Sequence, residues 1–99
     1  MKKIFYKKEI IQNLSITQSI DLKESEKAVK KILEMMKVCL SNNDGIEIRG
    51  FGSFQVKKYA PRKVRNPKTG ESVNLNTRYQ IHFKAGEPLR KKVNNSNLS

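Results

Sequence analysis

The stretch Arg65-Asn66-Pro67-Lys68-Thr69-Gly70 sets two cations around a rigid apolar ring. Each residue type has a chemical use. Guanidinium and ammonium groups bind phosphate oxygens through charge-assisted hydrogen bonds. Pro67 lacks a backbone donor and offers a compact face of fixed geometry. Asn, Pro and Gly in close order are also ordinary turn chemistry, so Pro67 taken alone reads as a turn former. Its setting argues for more. Lys57, Lys58, Arg62 and Lys63 lead into the turn, and no acidic residue occurs from Ile48 through Gly70. Charges of one sign would hold the tip against a polyanion, where an apolar wedge can unstack a base step.

No covalent chemistry has comparable support. His82 is the only histidine and lacks a cysteine or second histidine for a metal site. One histidine in one sequence establishes no Ser–His–Asp set. Gly50-Phe51-Gly52 misses the third glycine of a dinucleotide fingerprint and is not followed by a helix. The single cysteine, Cys39, excludes an internal disulfide framework. The expectation is a protein that is not an enzyme and uses no cofactor, metal or small-molecule substrate.

Charge narrows the partner. The chain has 99 residues and a formal net charge of +12. Residues 1–47 carry only +2 of it, and residues 48–99 carry +10. A cationic half on a small chain points to nucleic acid. An anionic membrane is the weaker choice, because there is no Trp and the aromatics fall mostly outside the helical stretches. The start, Met1 to Lys8, has too short an apolar run for a signal peptide. The chain reads as cytosolic, with no membrane partner.

These cations need elements to position them. Ile10, Ile11 and Leu14 predict a short first helix over residues 7–15, followed by a connector at 16–20. Asp21 and Glu24 form a capping-box pattern before a longer helix. Val29, Ile32, Leu33, Met36, Cys39 and Leu40 form its apolar side, with Met35 at or near the core. Lys23, Lys27, Lys30 and Lys37 face away, and Lys27, Lys30 and Lys31 read as a solvated face. Asn42-Asn43-Asp44-Gly45 ends it. From Ile46 the period becomes two, and Gly50 and Gly52 permit a tight corner between strands. Phe54 and Val56 point inward, and Tyr79, Ile81 and Phe83 share one face. His82 reads as a strand-surface residue. Gly86-Glu87-Pro88 starts a short last helix. Residues 94–99 read as a frayed, disordered tail.

The fold class is therefore α+β in one domain over residues 1–99. It comprises two N-terminal helices, a three-stranded antiparallel sheet with a long protruding β-hairpin arm at about 55–82, and a short C-terminal helix. Residues 57–78 bury almost nothing, and what remains is marginal as a lone domain. A dimer that pools apolar faces resolves this. An arm from Phe54 to Asn66 would reach roughly 40 Å at about 3.3 Å per residue. That is several times the roughly 6 Å width of a minor groove.

At Ile46-Glu47-Ile48-Arg49-Gly50-Phe51-Gly52-Ser53-Phe54, at Arg65 to Glu71 and at His82 to Val93, the sequence closely resembles the bacterial HU / integration host factor family. The likeness runs from about Lys7 to Val93 and is nearer to the beta branch of integration host factor. It implies an intertwined dimer, homodimeric or paired with a related subunit, whose two arms embrace the minor groove of double-stranded DNA. It implies that Pro67 wedges between base pairs and bends the duplex, with Arg65, Asn66 and Lys68 in or beside the groove. This family is itself a reference case for architectural minor-groove binding. By the same likeness Lys57, Lys58, Arg62, Lys63 and Arg78 line the arm. Arg49, Ser53, Lys84 and Lys7 meet phosphates at the body. Three positions depart from the family pattern. Glu87 stands for a usual lysine, Val64 for a frequent glycine, and Tyr6 for a Thr that often caps the first helix.

The implied function is a nucleoid-associated architectural protein of the bacterial chromosome. The alternative is a basic RNA-binding or ribosomal protein, and a protein–protein adaptor with incidental charge is a third class. RNA modules often present aromatic stacking platforms, and the basic region shows no evident one.

Overall fold

The structure is a computed structural model and describes residues 2–98. The chain divides into two compact units, one ending at Val38 and one beginning at Cys39.

The first unit is helical. Helix α1 spans Lys7–Gln18, three residues beyond the expected end. The sequence offers no Gly or Asn at the stop. Ser19 takes the left-handed conformation instead, at φ 51° and ψ 45°, and its N–H donates to the Ser15 carbonyl. The Ser15 hydroxyl in turn donates to the Ile20 carbonyl at 2.6 Å. Ser19 thus holds the position usually left to glycine, and Ser15 bonds to the turn through both its carbonyl and its hydroxyl. Tyr6 occupies the N-cap and makes no side-chain capping bond. Helix α2, Leu22–Ser41, begins where the acidic pair predicts. Within this unit Ile11 is buried and Ser25 is wholly enclosed.

The second unit begins at Cys39, in the last turn of α2. Asn43 takes φ 64°, and the Asp44 N–H donates to the Cys39 carbonyl at 3.0 Å, so Asn43 rather than Gly45 supplies the left-handed residue. Strands β1 (Ile46–Ile48), β2 (Gly52–Tyr59) and β5 (Arg78–Ala85) form an antiparallel sheet in the order β1-β2-β5. Gly50, at φ 82°, makes the turn between β1 and β2, and the Phe51 N–H donates to the Ile48 carbonyl at 2.9 Å. Gly52 has a different task. A Cβ there would lie 2.6 Å from the Lys84 carbonyl oxygen and 2.7 Å from the Phe83 ring. The space is filled by aromatic packing, with ring centroids of Phe54 and Phe83 4.8 Å apart and of Phe51 and Phe83 5.6 Å apart. Such tilted pairs add about 0.5–1.5 kcal/mol beyond burial.

Beyond Tyr59 and Arg78 the β2–β5 ladder stops, and a separate two-stranded ladder of β3 (Arg62–Arg65) and β4 (Ser72–Leu75) continues the hairpin. Pro61 lies in the gap and has no N–H to donate. Helix α3 spans Glu87–Leu98. The tail expected to fray from residue 94 is thus helical through Leu98, and Ser99 lies outside the described residues. No Gly or Pro follows Pro88 to stop the helix, and the Asn97 side-chain amide donates to the Val93 carbonyl at 2.7 Å.

Among the described residues Ile11 is the one buried large hydrophobic. Ile32, Met35 and Val38 on α2 and Tyr79, Ile81 and Phe83 on β5 are exposed. Met35, expected at or near a core, is open to solvent, whereas Met36 and Cys39 are half-buried. The single chain therefore leaves apolar faces uncovered on both units.

Candidate nucleic-acid interface

The tip of the hairpin is a six-residue closure from Asn66 to Glu71 held by local bonds. The Asn66 N–H donates to the Glu71 carbonyl at 2.8 Å, and the Gly70 N–H to the Asn66 carbonyl at 2.7 Å. Asn66 Oδ1 accepts the Lys68 N–H at 2.9 Å, an Asx turn that spans Pro67. The Thr69 hydroxyl oxygen accepts the Glu71 N–H at 3.3 Å. Gly70 sits at φ 74°, a conformation costly for other residues. Pro67 and Lys68 are exposed at this apex, and Arg65 is exposed at the end of β3. Asn66 is half-buried and its side-chain oxygen shapes the turn.

Below the tip, the register sets which side chains share a face. Lys63 and Arg65 lie with Asn74 and Ser72 on one side of the β3–β4 ladder. Arg62 lies with Val64, Val73 and Leu75 on the other. Val64 pairs directly with Val73, a β-branched cross-strand pair just below the tip. Lys57 and Lys58 are both exposed and fall on opposite faces of β2. Arg78 is half-buried, its guanidinium 5.0 Å from the Tyr59 ring centroid. The Tyr59 hydroxyl is 3.0 Å from His82 Nε2, and this pair gives the only histidine a structural use. The cation–π and hydroxyl–imidazole contacts make a small polar cluster where the β2–β5 ladder ends.

Three of the four residues assigned to the body come together. Arg49, Ser53 and Lys84 line one cleft of about 300 Å³, which also includes the start of α3 and Arg90. Ser53 and Lys84 are register partners, and Arg49 projects from the β1–β2 turn. The Arg90 N–H donates to the Gly86 carbonyl, and the Gly86 N–H to the Phe51 carbonyl, which ties the helix start to that turn. A helix N-terminus beside cations suits an anion. Arg90 went unnoticed in the sequence because it sits in a helix among other basic residues. Its signal was its spacing from Gly86, one turn into the helix. Glu87 lies on the same cleft wall, with its carboxylate 3.1 Å from Lys91 Nζ. Lys7 belongs to the helical unit and lines a different cleft, with Lys30, Lys31 and Lys37.

No group of three or more His, Cys, Asp or Glu side chains that could hold a metal occurs among the described residues. No helix there is long and apolar enough to cross a membrane.

Comparison with known proteins fits this geometry. The sequence pattern of the Bacterial DNA-binding protein family matches residues 5–94. The chain is 52% identical over 91 residues to integration host factor subunit beta of Teredinibacter turnerae, covering 91% of this chain and 93% of that protein. It is 53% identical over 89 residues to the same subunit of Colwellia psychrerythraea, covering 89% and 94% respectively. Among solved structures, HU of Anabaena, crystallised with DNA, superposes with a TM-score of 0.77 at 29% identity, over 90% of this chain and 97% of that one.

Proposed function

Given that the chain belongs to the bacterial DNA-binding protein family of HU and integration host factor, we propose that it is a non-enzymatic architectural protein of the bacterial nucleoid, which binds and bends double-stranded DNA. It acts as an intertwined dimer, with an identical or a related chain. The exposed apolar faces of α2 and β5 are what the partner covers, at about 25 cal/mol for each Å² removed from water. Two arms enter the minor groove from the dimer body.

The observation that carries this reading is the apex. Pro67 stands exposed between Arg65 and Lys68, on a turn braced by the Asn66 side chain. The cations hold the tip at the phosphates. Pro67 then enters a base step, at an unstacking cost of a few kcal/mol that is offset by the extra duplex drawn onto the body. Arg49, Ser53, Lys84 and Arg90 supply phosphate contacts on that body, and Lys57, Lys58, Arg62, Lys63 and Arg78 supply them along the arm. Phosphate contacts give affinity without sequence information. The minor groove distinguishes little beyond A·T from G·C. Arg65 in a narrowed groove adds a preference for shape.

Fluorescence transfer across an end-labelled duplex tests the wedge. Pro67→Ala should bind straight duplex nearly as well as the parent protein and bend it less. An unchanged bend angle refutes the wedge.

A further inference from the structure

The segment Lys2-Lys3-Ile4-Phe5-Tyr6 before α1 has no part in the arm or its cleft. It lies outside any helix or strand, its Tyr6 backbone is extended, and Phe5 and Tyr6 are 52% and 63% exposed. Lys3 Nζ sits 4.8 Å from the Phe5 ring centroid, so the ring already carries a cation on one face. Tyr6 spends no side-chain bond on capping the helix it precedes. Lys7 comes next, and it lines a cleft of about 470 Å³ with Lys30, Lys31, Leu33, Glu34 and Lys37. Lys30 is neutralised by Glu26 at 2.8 Å. Lys7, Lys31 and Lys37 take part in none of the ion pairs found among the described residues. Glu34 is the one carboxylate on the cleft wall.

Two exposed aromatic residues therefore come directly before Lys7, which lines a cationic groove within the helical unit. The combination of rings for stacking and cations for a phosphate track is how unpaired polynucleotide is held without base reading. We propose that this N-terminal segment and the Lys7–Lys31–Lys37 groove form a second nucleic-acid site, specific for single-stranded polynucleotide. Phe5 and Tyr6 stack on successive bases, and Lys7, Lys31 and Lys37 follow the backbone. The site is separate in residues from the arm and asks nothing of Pro67.

The test is an anisotropy titration of the full-length protein with short labelled oligothymidylate, oligouridylate and straight duplex. The parent protein should bind both single strands, and any preference between them identifies DNA or RNA as the natural source. Phe5→Ala with Tyr6→Ala should weaken single-strand binding by about ten-fold or more, since each base–ring stack is worth that order. Duplex affinity should stay within about two-fold, and Tyr6→Phe should keep single-strand affinity, because stacking needs the ring and not the hydroxyl. Lys31→Gln with Lys37→Gln should lower the single-strand salt slope by about 1.4, at roughly 0.7 per phosphate contact. This pair decides the matter if the aromatic variant is poorly folded by circular dichroism. Pro67→Ala should bend duplex less yet hold single strands like the parent, so the two sites can fail independently. The proposal is overturned if the protein ignores single strands at salt where it binds duplex. It is also overturned if the ring variant loses duplex and single strand equally, or if phosphatidylglycerol vesicles are bound in place of single strands.

Discussion

The root and the tip of one hairpin obey the same strand geometry and solve opposite problems. At the root, β2 pairs with β5 over eight register positions, and Phe83 fills the notch left by Gly52 while it packs against Phe51 and Phe54. At the tip, β3 pairs with β4 over four positions, with Val64 and Val73 as the cross-strand apolar pair. The root is held by rings that fit together. The tip is held by its own turn, through Asn66, Gly70 and Glu71. An isolated two-stranded ladder is marginal in water, so a tip that must stay bare needs local bonds in place of a core. Its exposed positions can then be spent on cations.

The contrast predicts which substitutions unfold the protein and which only disarm it. The largest effect on stability should come from the root. Gly52→Ala puts a methyl group against the Lys84 carbonyl and the Phe83 ring, and should cost about 1–3 kcal/mol by urea unfolding. An unmoved midpoint would mean that the notch is not tight. Next, Arg62→Ala with Lys63→Ala should leave that midpoint within about 0.5 kcal/mol, as surface changes do. It should flatten the salt dependence of duplex binding by about 1.8, at roughly 0.9 per lost phosphate contact. A salt titration with the parent slope removes these residues from the interface.

Smaller changes sharpen the same line. Asn66→Ala deletes the acceptor for the Lys68 N–H, a bond worth about 0.5–1.5 kcal/mol to the turn. Bending should drop by fluorescence transfer while binding to straight duplex persists; equal loss of both would make Asn66 a direct contact rather than a brace. The smallest effect belongs to the helical unit. The Lys30 hydrogen bond and charge hold the Glu26 carboxyl below its ordinary value, against slight desolvation and with help from Lys7. A carboxyl depressed in the folded state stabilises above its unfolded pKa, and that contribution is lost as pH falls through the folded value. Thermal melts of Glu26→Gln should therefore differ from the parent at neutral pH and converge with it in acid. Parallel curves would leave the pair without a role.

Much of this arrangement was legible in the residues. The capping pair at Asp21 and Glu24, the alternation around Phe54 and Phe83, and the acid-free run to Gly70 each encode a local rule, and local rules survive without tertiary context. The first helix ran past its expected end because Ser19 adopts a conformation more usual for glycine, and no residue type announced it. Helix α3 ran on to Leu98 for the converse reason, since weak helix formers end a helix only when something else competes for their backbone. The grouping of Arg49, Ser53 and Lys84 with Arg90 was partly hidden, because it joins a turn, two strands and a helix start that lie far apart in the chain. The assignment of Lys7 to a groove with Lys31 and Lys37 had no sequence signal, since it depends on how two helices pack. The sequence by itself determined the order and type of the main elements, the charge and the cationic run toward the turn at Pro67, because these follow from neighbours a few residues away, but not where the first and last helices end. Only the tertiary structure decided which distant cations share a surface and which glycine is a notch rather than a turn, because those are matters of approach through space.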